Sequence, residues 1–536
     1  MNVGVTDCIT RLAQVADRWL PRLLTQVCRD PASPHCGCFD RDWWHYRIRD
    51  FPSIILQQGG YALYAVAQLR AYAPMRAELL RLGAAAARFW NRRACRRGAF
   101  EEYYPWEQGY PPLAFSTLAV MKLAAQGVVS TAEIRAGAAV ASRQLLSRFE
   151  AQAANQQVAG LAALAWCHRL FPEQVPAEGF AVLAERTLAL QTPEGWFQEY
   201  GGPDLGYLSV TLDCLWDLFD ATGERRFVES IECAVDCIAV LTAATPGSSI
   251  GMHNARNTDY LVPYGLLRAA LECPTQAGTA AALVTQLYAD ADASNHFLAV
   301  VDDRYVCHYT GQSLMRALWL AERNSLSRLD TAIVPVPCFE RLTQSGHFLQ
   351  VNGQESLVVT LRKGGILTYH SGGAVASDFG WIIETDGQQF ITHWWSDDWC
   401  FSQEGGRLVV EGPAYEHRET SSGPLQHVIL RALSFTFGRR LIAALKDRLI
   451  FRKLASPIRF RRVIHLEEDK LRLEDMLTGL PPEARLTPAP RSSKRHVASA
   501  DSYHIEDILP ARGFQIQREI RREAGDAYVT TTFEKV

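Results

Sequence analysis

EGWFQEYGGPDLGY, residues 194–207, sets two acids (Glu199 and Asp204), two tyrosines (Tyr200 and Tyr207) and two further aromatics (Trp196 and Phe197) between two segments of helical spacing. Gly201, Gly202, Pro203 and Gly206 forbid a helix through its middle. The stretch is therefore expected to be an exposed loop whose backbone can approach a ligand closely.

Outward from this loop, helical patterning runs from residue 3 to about residue 325. Phe227, Val228, Ile231, Ala234, Val235, Ile238 and Leu241 recur as one helical face that must be buried against other helices. Breaks at Gly, Pro and polar clusters give helices near 3–28, 53–73, 75–93, 112–126, 131–148, 151–171, 177–190, 206–221, 225–242, 258–272, 277–290 and 311–324. The connections alternate. Those after the second, fourth, sixth, eighth and tenth helices are short; most of those after the first, third, seventh, ninth and eleventh exceed a typical bundle turn. Alternate connections of an up-and-down array lie at the same end, so one end is trimmed and the other elaborated. This predicts an (α/α)6 toroid of six hairpins, with its cleft at the elaborated end. That end would gather DRDWWHYRIRD (40–50), AFEEYYPWEQGYPP (99–112), the opening loop, GMHNARNTDY (251–260) and DDRYVCHY (302–309), while the short fifth connection leads into Asn155, Gln156 and Gln157.

At residues 326–337 the prolines of IVPVP favour an extended linker. Beyond it, SLVVTL (356–361), GWIIET (380–385), QFITHW (389–394), RLVVEG (407–412), HVILRALSF (427–435), RLIAAL (440–445), PIRFRRVIHL (457–466) and KLRLED (470–475) read as strands of an antiparallel β-sandwich. FRRVIHL and KLRLE form a hairpin through Glu468 and Asp469, and residues 481–502 read as a long mobile loop. The domains expected are thus a toroid over 1–325, a linker over 326–337 and a sandwich over 338–536.

The chain has 536 residues and a formal net charge of −3, so it carries no global attraction to nucleic acid or to an anionic membrane. The N-terminal stretch has no basic region followed by an apolar run, and no segment is apolar for the ~18 residues of a spanning helix. A cytoplasmic protein is expected. The 13 cysteines are scattered and odd in number, which suits reduced thiols. His35, Cys36 and Cys38 lack a second ligand pair and read as loop and core residues.

A cleft rich in aromatics, acids and amides suits carbohydrate, because aromatic faces stack on sugar rings while acids, amides and arginines bond the hydroxyls. Trp43, Trp44, Tyr103, Tyr104, Trp106, Tyr110, Trp196 and Tyr200 are the candidates, with core plugging as the alternative. Glu101 with Glu102, and Glu199 with Asp204, would serve as acid and base of a glycosidase or as helix caps and ion pairs. His253, Asn254 and Arg256, followed by Tyr260 and Tyr264, suit proton abstraction beside a uronate carboxylate. That chemistry needs a base together with groups that neutralise the carboxylate. In the β-rich half, His370, His393, Trp394, Trp395 and Asp397 either lean over the cleft or are ordinary strand residues.

The toroid-then-sandwich order, the opening loop, the amides after the fifth helix and FRRVIHLEEDKLRLED together resemble heparinase II/III-type polysaccharide lyases. The resemblance implies Tyr207 as the catalytic tyrosine, Asn155 with Gln156 as the group that neutralises the carboxylate, and His253 as a helper. One departure stands out. Where that family has His-x-His-x-Asp in its sandwich, this sequence keeps Asp378 but has Val375 and Ala376 ahead of it, with His370 upstream as a substitute. The resemblance thus implies β-elimination on an acidic polysaccharide or oligosaccharide, which needs no metal or redox cofactor. Glu102, Tyr103, Tyr104, Trp44, Trp196, Glu199, Tyr200, Asp204, Asn254, Arg256, Tyr260, His393 and Trp394 would bind substrate. A glycoside hydrolase, a uronate C5-epimerase and a non-catalytic glycan-binding protein are the alternatives.

Overall fold

Alternate helices of the first part bury their side chains in two distinct ways. Val5–Gln26 (α1), Arg76–Cys95 (α3), Thr131–Leu146 (α5), Ala177–Leu188 (α7), Arg225–Thr242 (α9) and Ala277–Tyr288 (α11) each leave one side to solvent. Gly59–Gln68 (α2), Tyr110–Ala125 (α4), Ala154–Leu170 (α6), Leu205–Thr222 (α8), Tyr264–Glu272 (α10) and Tyr309–Arg323 (α12) are buried almost all round. A helix buried on every side needs neighbours on every side. In the computed structural model α2 packs on α4, α4 on α6, α6 on α8, α8 on α10, α10 on α12 and α12 back on α2, a closed inner ring, with the amphipathic helices outside. The structure describes residues 3–535 apart from 97, 246–250, 257, 259, 295, 327, 328, 330–337, 354, 419–422, 439, 440, 442–444, 446–453, 468, 469, 492–512 and 524.

Connections from inner to outer helices are short. One is the turn from Thr222 to Arg225, where Gly223 takes a φ of 71° as a left-handed cap. The long connections run from outer to inner helices, so every inner helix starts at the elaborated end. The helix expected over 258–272 begins only at Tyr264, after Pro263, and a 3-10 turn occupies Gly251–His253. In the middle of the ring, buried Asp217 of α8 accepts hydrogen bonds from Lys122 of α4 (2.9 Å) and Arg316 of α12 (2.7 Å), tying three inner helices together.

The second part forms two antiparallel sheets. Phe339–Leu342 (β1), His347–Asn352 (β2), Glu355–Thr360 (β3), Ile366–Ser371 (β4) and Ala374–Asp378 (β5) form one in sequence order. The other has nine strands: Trp381–Thr385 (β6), Gln388–Ile391 (β7), Cys400–Glu404 (β8), Arg407–His417 (β9), Ala455–Glu467 (β10), Lys470–Thr478 (β11), Arg485–Pro488 (β12), Phe514–Glu523 (β13) and Asp526–Lys535 (β14). The β10–β11 hairpin has the expected register, with Glu467 opposite Lys470. The first sheet is buried on both faces: Phe348, Leu357 and Val359 enter the sandwich core, while Leu349, Val351 and Val358 enter the toroid core. That is why SLVVTL shows no polar alternation.

Two sequence expectations are corrected. HVILRALSF is not a strand but part of a helix, Pro424–Phe437 (α13). Pro424 at its first turn and apolar residues three and four apart favour a helix over the β-branched residues that suggested a strand. Within the expected loop 481–502, Arg485–Pro488 pairs with β6 as β12. Residues 440–445, apart from 441 and 445, most of 326–337 and residues 492–502 lie outside the described residues. Among the described residues no helix is long and apolar enough to cross a membrane.

Candidate functional site

Chemistry collects where the inner helices begin. Residues 194–207 are not an exposed loop there. Glu199 pairs with Ala153 and with Gly202 in β-bridges, and the Tyr200 N–H donates to the Gln152 carbonyl at 2.7 Å. The stretch therefore folds as a tight hairpin on the start of α6, with Tyr200 at a φ of 55°. Trp395 covers it from the β-sandwich. Its indole N–H donates to the Gly201 carbonyl at 3.1 Å, and a Cβ on Gly202 would stand 2.2 Å from the Trp395 Cζ2. The glycine expected to admit a ligand admits an indole instead, and Glu199 and Asp204 are each only 1% exposed.

Four buried polar atoms in this corner have no hydrogen-bond partner among the described residues: Asn155 Nδ2, Gln156 Oε1, Glu199 Oε2 and Arg256 Nε. Their neighbours hold them in place. Glu199 Oε1 accepts the Asn155 backbone N–H at 2.6 Å, Gln156 Nε2 donates to the Tyr200 hydroxyl at 3.3 Å, and the Arg256 guanidinium lies 4.0 Å from the centre of the Tyr200 ring. Each unmet buried group costs about 1–3 kcal/mol, which a ligand can recover.

Burial pushes the Glu199 carboxyl well above the usual carboxylate range, against the Asn155 N–H, with neighbouring Asp204 raising it further. Burial therefore favours the protonated form of Glu199. Asp204 is pushed up to about 6 by burial, against the Tyr207 N–H. It caps α8 by accepting that N–H at 3.1 Å and also accepts the Thr258 N–H at 3.2 Å. Tyr207, at the third position of α8, is 8% exposed and within electrostatic reach of Tyr103, Tyr260 and Tyr309. The Tyr260 and Tyr309 hydroxyls lie 2.5 Å apart. On the adjoining rim, Glu102 pairs with Arg304 at 2.7 Å, whose guanidinium is 5.2 Å from the centre of the half-exposed Tyr103 ring. Tyr104 follows on the same rim, partly buried.

Several candidates belong elsewhere. His253 is locked into the toroid–sandwich interface, with Nδ1 2.7 Å from the Thr360 hydroxyl and Nε2 3.0 Å from the Thr368 hydroxyl. Burial lowers its pKa well below the usual imidazole value, so it is a neutral interface residue. Half-buried His370 on β4 belongs to the same interface, within electrostatic reach of His253. Asn254 spends its amide on the Leu205 N–H and the Thr258 carbonyl. Trp44 bonds the Gln26 carbonyl and packs on the helical core. Trp196 donates to Glu194 and lines an outer cleft with Cys233, Asp236 and Arg341. Trp394 packs in the sandwich core at 6.0 Å from Tyr415, with buried His393 beside it in sequence.

One residue escaped the sequence reading. His308 precedes α12 at the cleft end, is 3% exposed, and neither ring nitrogen has a hydrogen-bond partner among the described residues. Its ring lies 5.2 Å from Tyr305 and 5.5 Å from Tyr309. Burial lowers its pKa well below the usual value and Arg304 adds to this, so it stands neutral. Its only sequence signal is its place just before an inner helix in the loop 302–309. Among the described residues no group of three or more His, Cys, Asp or Glu gathers as a metal site.

No protein-family model matches the sequence, and no curated protein matches it. Solved structures resemble it. A chondroitin AC lyase of Streptomyces coelicolor A3, in complex with chondroitin sulphate, aligns over 98% of this chain and 77% of its own, with a TM-score of 0.51 at 11% identity. Heparinase III aligns over 88% and 76% with a TM-score of 0.43 at 10% identity. A Paenibacillus xanthan lyase aligns over 88% and 45% with a TM-score of 0.46 at 10% identity. At 11% identity the likeness to the chondroitin AC lyase is one of fold, a helical toroid followed by an antiparallel β-sandwich.

Proposed function

We propose that this chain, with the fold of a chondroitin AC lyase, is itself a lyase that cleaves an acidic polysaccharide or oligosaccharide by β-elimination beside a uronate. The observation that carries the reading is the set of unspent buried groups around the hairpin that ends at Tyr207. The Asn155 amide, the Arg256 guanidinium and, in the protonated form that its burial favours, the Glu199 carboxyl all offer donors, as a uronate carboxylate requires. Donors on the carboxylate draw charge away from C5 and make its proton acidic. Tyr207, as its phenolate, takes that proton, the C4–O bond breaks as the C4–C5 double bond forms, and the proton passes from the phenol to the leaving oxygen, which restores the phenolate. No water is consumed. Gln156 Oε1 accepts from a sugar hydroxyl, and Tyr103, Tyr104, Tyr200 and Tyr260 shape the surrounding wall. His308 replaces His253 and His370 as the histidine we assign to the cleft. Residues 1–325 form the catalytic domain in this reading, and the sandwich of 338–536 closes it through Trp395.

A second reading rests on the raised carboxyls of Glu199 and Asp204, which suit the acid of a glycoside hydrolase. Mass spectrometry of products from a panel of uronate glycans separates the two. Lyase fragments sum to the mass of the substrate; fragments that together exceed it by one water would establish hydrolysis instead.

A further inference from the structure

Outside the ring of inner helices, the turn at residues 193–196 crosses α9 and faces β1 of the sandwich, and a cleft of about 190 Å³ opens between them. That is below the ~300–1,000 Å³ of a site that encloses a drug-sized ligand, and it suits one ring of a longer molecule. The walls are fixed. Glu194 Oε1 accepts the Gln344 N–H at 2.6 Å and its Oε2 accepts the Ser345 N–H at 3.1 Å, which ties the turn to the sandwich. The turn also sits hard on α9, since a Cβ on Gly195 would stand 2.1 Å from the Cys233 carbonyl oxygen. The Trp196 indole N–H is spent on Glu194 at 3.2 Å, so the half-buried ring offers the cleft only its carbon surface.

Two charged groups on this cleft are not spent. Arg341 on β1 and Asp236 on α9 are exposed, and neither makes a hydrogen bond or ion pair among the described residues, with each other or with any neighbour. Left apart across one cleft, they are available to a single ligand between them. A guanidinium grips a carboxylate with two parallel donors, a carboxylate accepts from hydroxyls, and an indole packs on the apolar face of a sugar ring. A uronate residue carries all three features. We propose that the outer cleft is a second glycan site, which holds one uronate residue of an acidic chain with its carboxylate on Arg341, its hydroxyls on Asp236 and its ring against Trp196. The choice of an acidic glycan rests on the lyase reading. The outer cleft itself takes no part in elimination; it retains the chain while another part of that chain lies beside Tyr207.

Exposed Cys233 lines the cleft and reports its occupancy without any need for turnover, while exposed Cys95 and Cys400 do not line it and serve as controls. The full chain is alkylated with iodoacetamide at mildly alkaline pH, and the modified peptides are followed by mass spectrometry. Glucuronate at about ten times its dissociation constant is expected to slow modification of Cys233 roughly tenfold and to leave both controls unchanged. Glucose and acetate at the same concentration should protect far less, because each supplies only part of the recognised group. Arg341→Ala, at an exposed position, should abolish the protection with no change in melting temperature. Modification of Cys233 at one rate with and without glucuronate would overturn the proposal, as would equal protection by glucose or acetate, or protection that survives Arg341→Ala. Protection in a protein that yields no unsaturated product from any uronate glycan would leave the second site standing and remove the lyase reading; product without protection would do the reverse.

Discussion

Asn155 and Asn254 look alike in the sequence, each an amide at the cleft end, and the difference between them is what each has already bonded. Asn254 satisfies two backbone groups, so Asn254→Ala should cost about 1–3 kcal/mol of stability in denaturant melts. The Asn155 Nδ2 has no partner among the described residues. Asn155→Ala should therefore leave stability nearly unchanged and lower kcat by roughly 10²–10³-fold. Equal destabilisation by the two substitutions would contradict the assignment. Glu199 gives a pH prediction. Its carboxyl must stay protonated to donate, so activity falls as pH rises through its raised pKa. Glu199→Gln keeps a neutral donor and should remove that limb from the kcat/KM profile, whereas Glu199→Ala loses the donor at every pH. Histidines misled the sequence reading for the same reason. His253 sits in a motif-rich loop but spends both nitrogens on threonines, while His308, with no motif around it, keeps both nitrogens unbonded among the described residues.

At the scale of elements, the alternation of long and short connections was enough to read the toroid, because loop length follows directly from which end of a hairpin is built up. What was illegible was contact between the two halves. Gly202 reads as a loop glycine, yet its missing Cβ is the space that Trp395 fills. Gly202→Val should displace the indole and loosen the 194–207 hairpin, at a cost of about 1–3 kcal/mol in thermal melts together with loss of activity. A variant with wild-type stability and turnover would show that Trp395 does not clamp the hairpin. The strand assigned to HVILRALSF failed because β-branched content outweighed spacing. Among the inner helices, Asp217→Asn would leave Lys122 and Arg316 buried against a neutral amide. It should cost about 3–5 kcal/mol in a denaturation series.

For the whole molecule, the toroid and the sandwich are joined by neutral buried histidines. His347 Nε2 donates to the His253 carbonyl at 2.9 Å, and burial holds His347 down to about 4. The unfolded chain protonates this residue near the ordinary imidazole pKa of ~6.5. The stability it contributes is therefore complete above ~6.5 and is lost as pH falls toward about 4, a loss of about 3 kcal/mol from this residue, with His253 shifting in the same direction. The melting temperature should drop across that window, and a flat profile would contradict a neutral histidine interface. Such coupling across some hundred residues of sequence leaves no local pattern to read. The central claim remains elimination by Tyr207. The most direct measurement is ultraviolet absorbance of an unsaturated uronate, followed for wild type and Tyr207→Phe over a panel of uronic-acid polymers and oligomers. A rise with wild type that falls by roughly 10³-fold or more in the phenylalanine variant is predicted; a rise that survives Tyr207→Phe unchanged would contradict it.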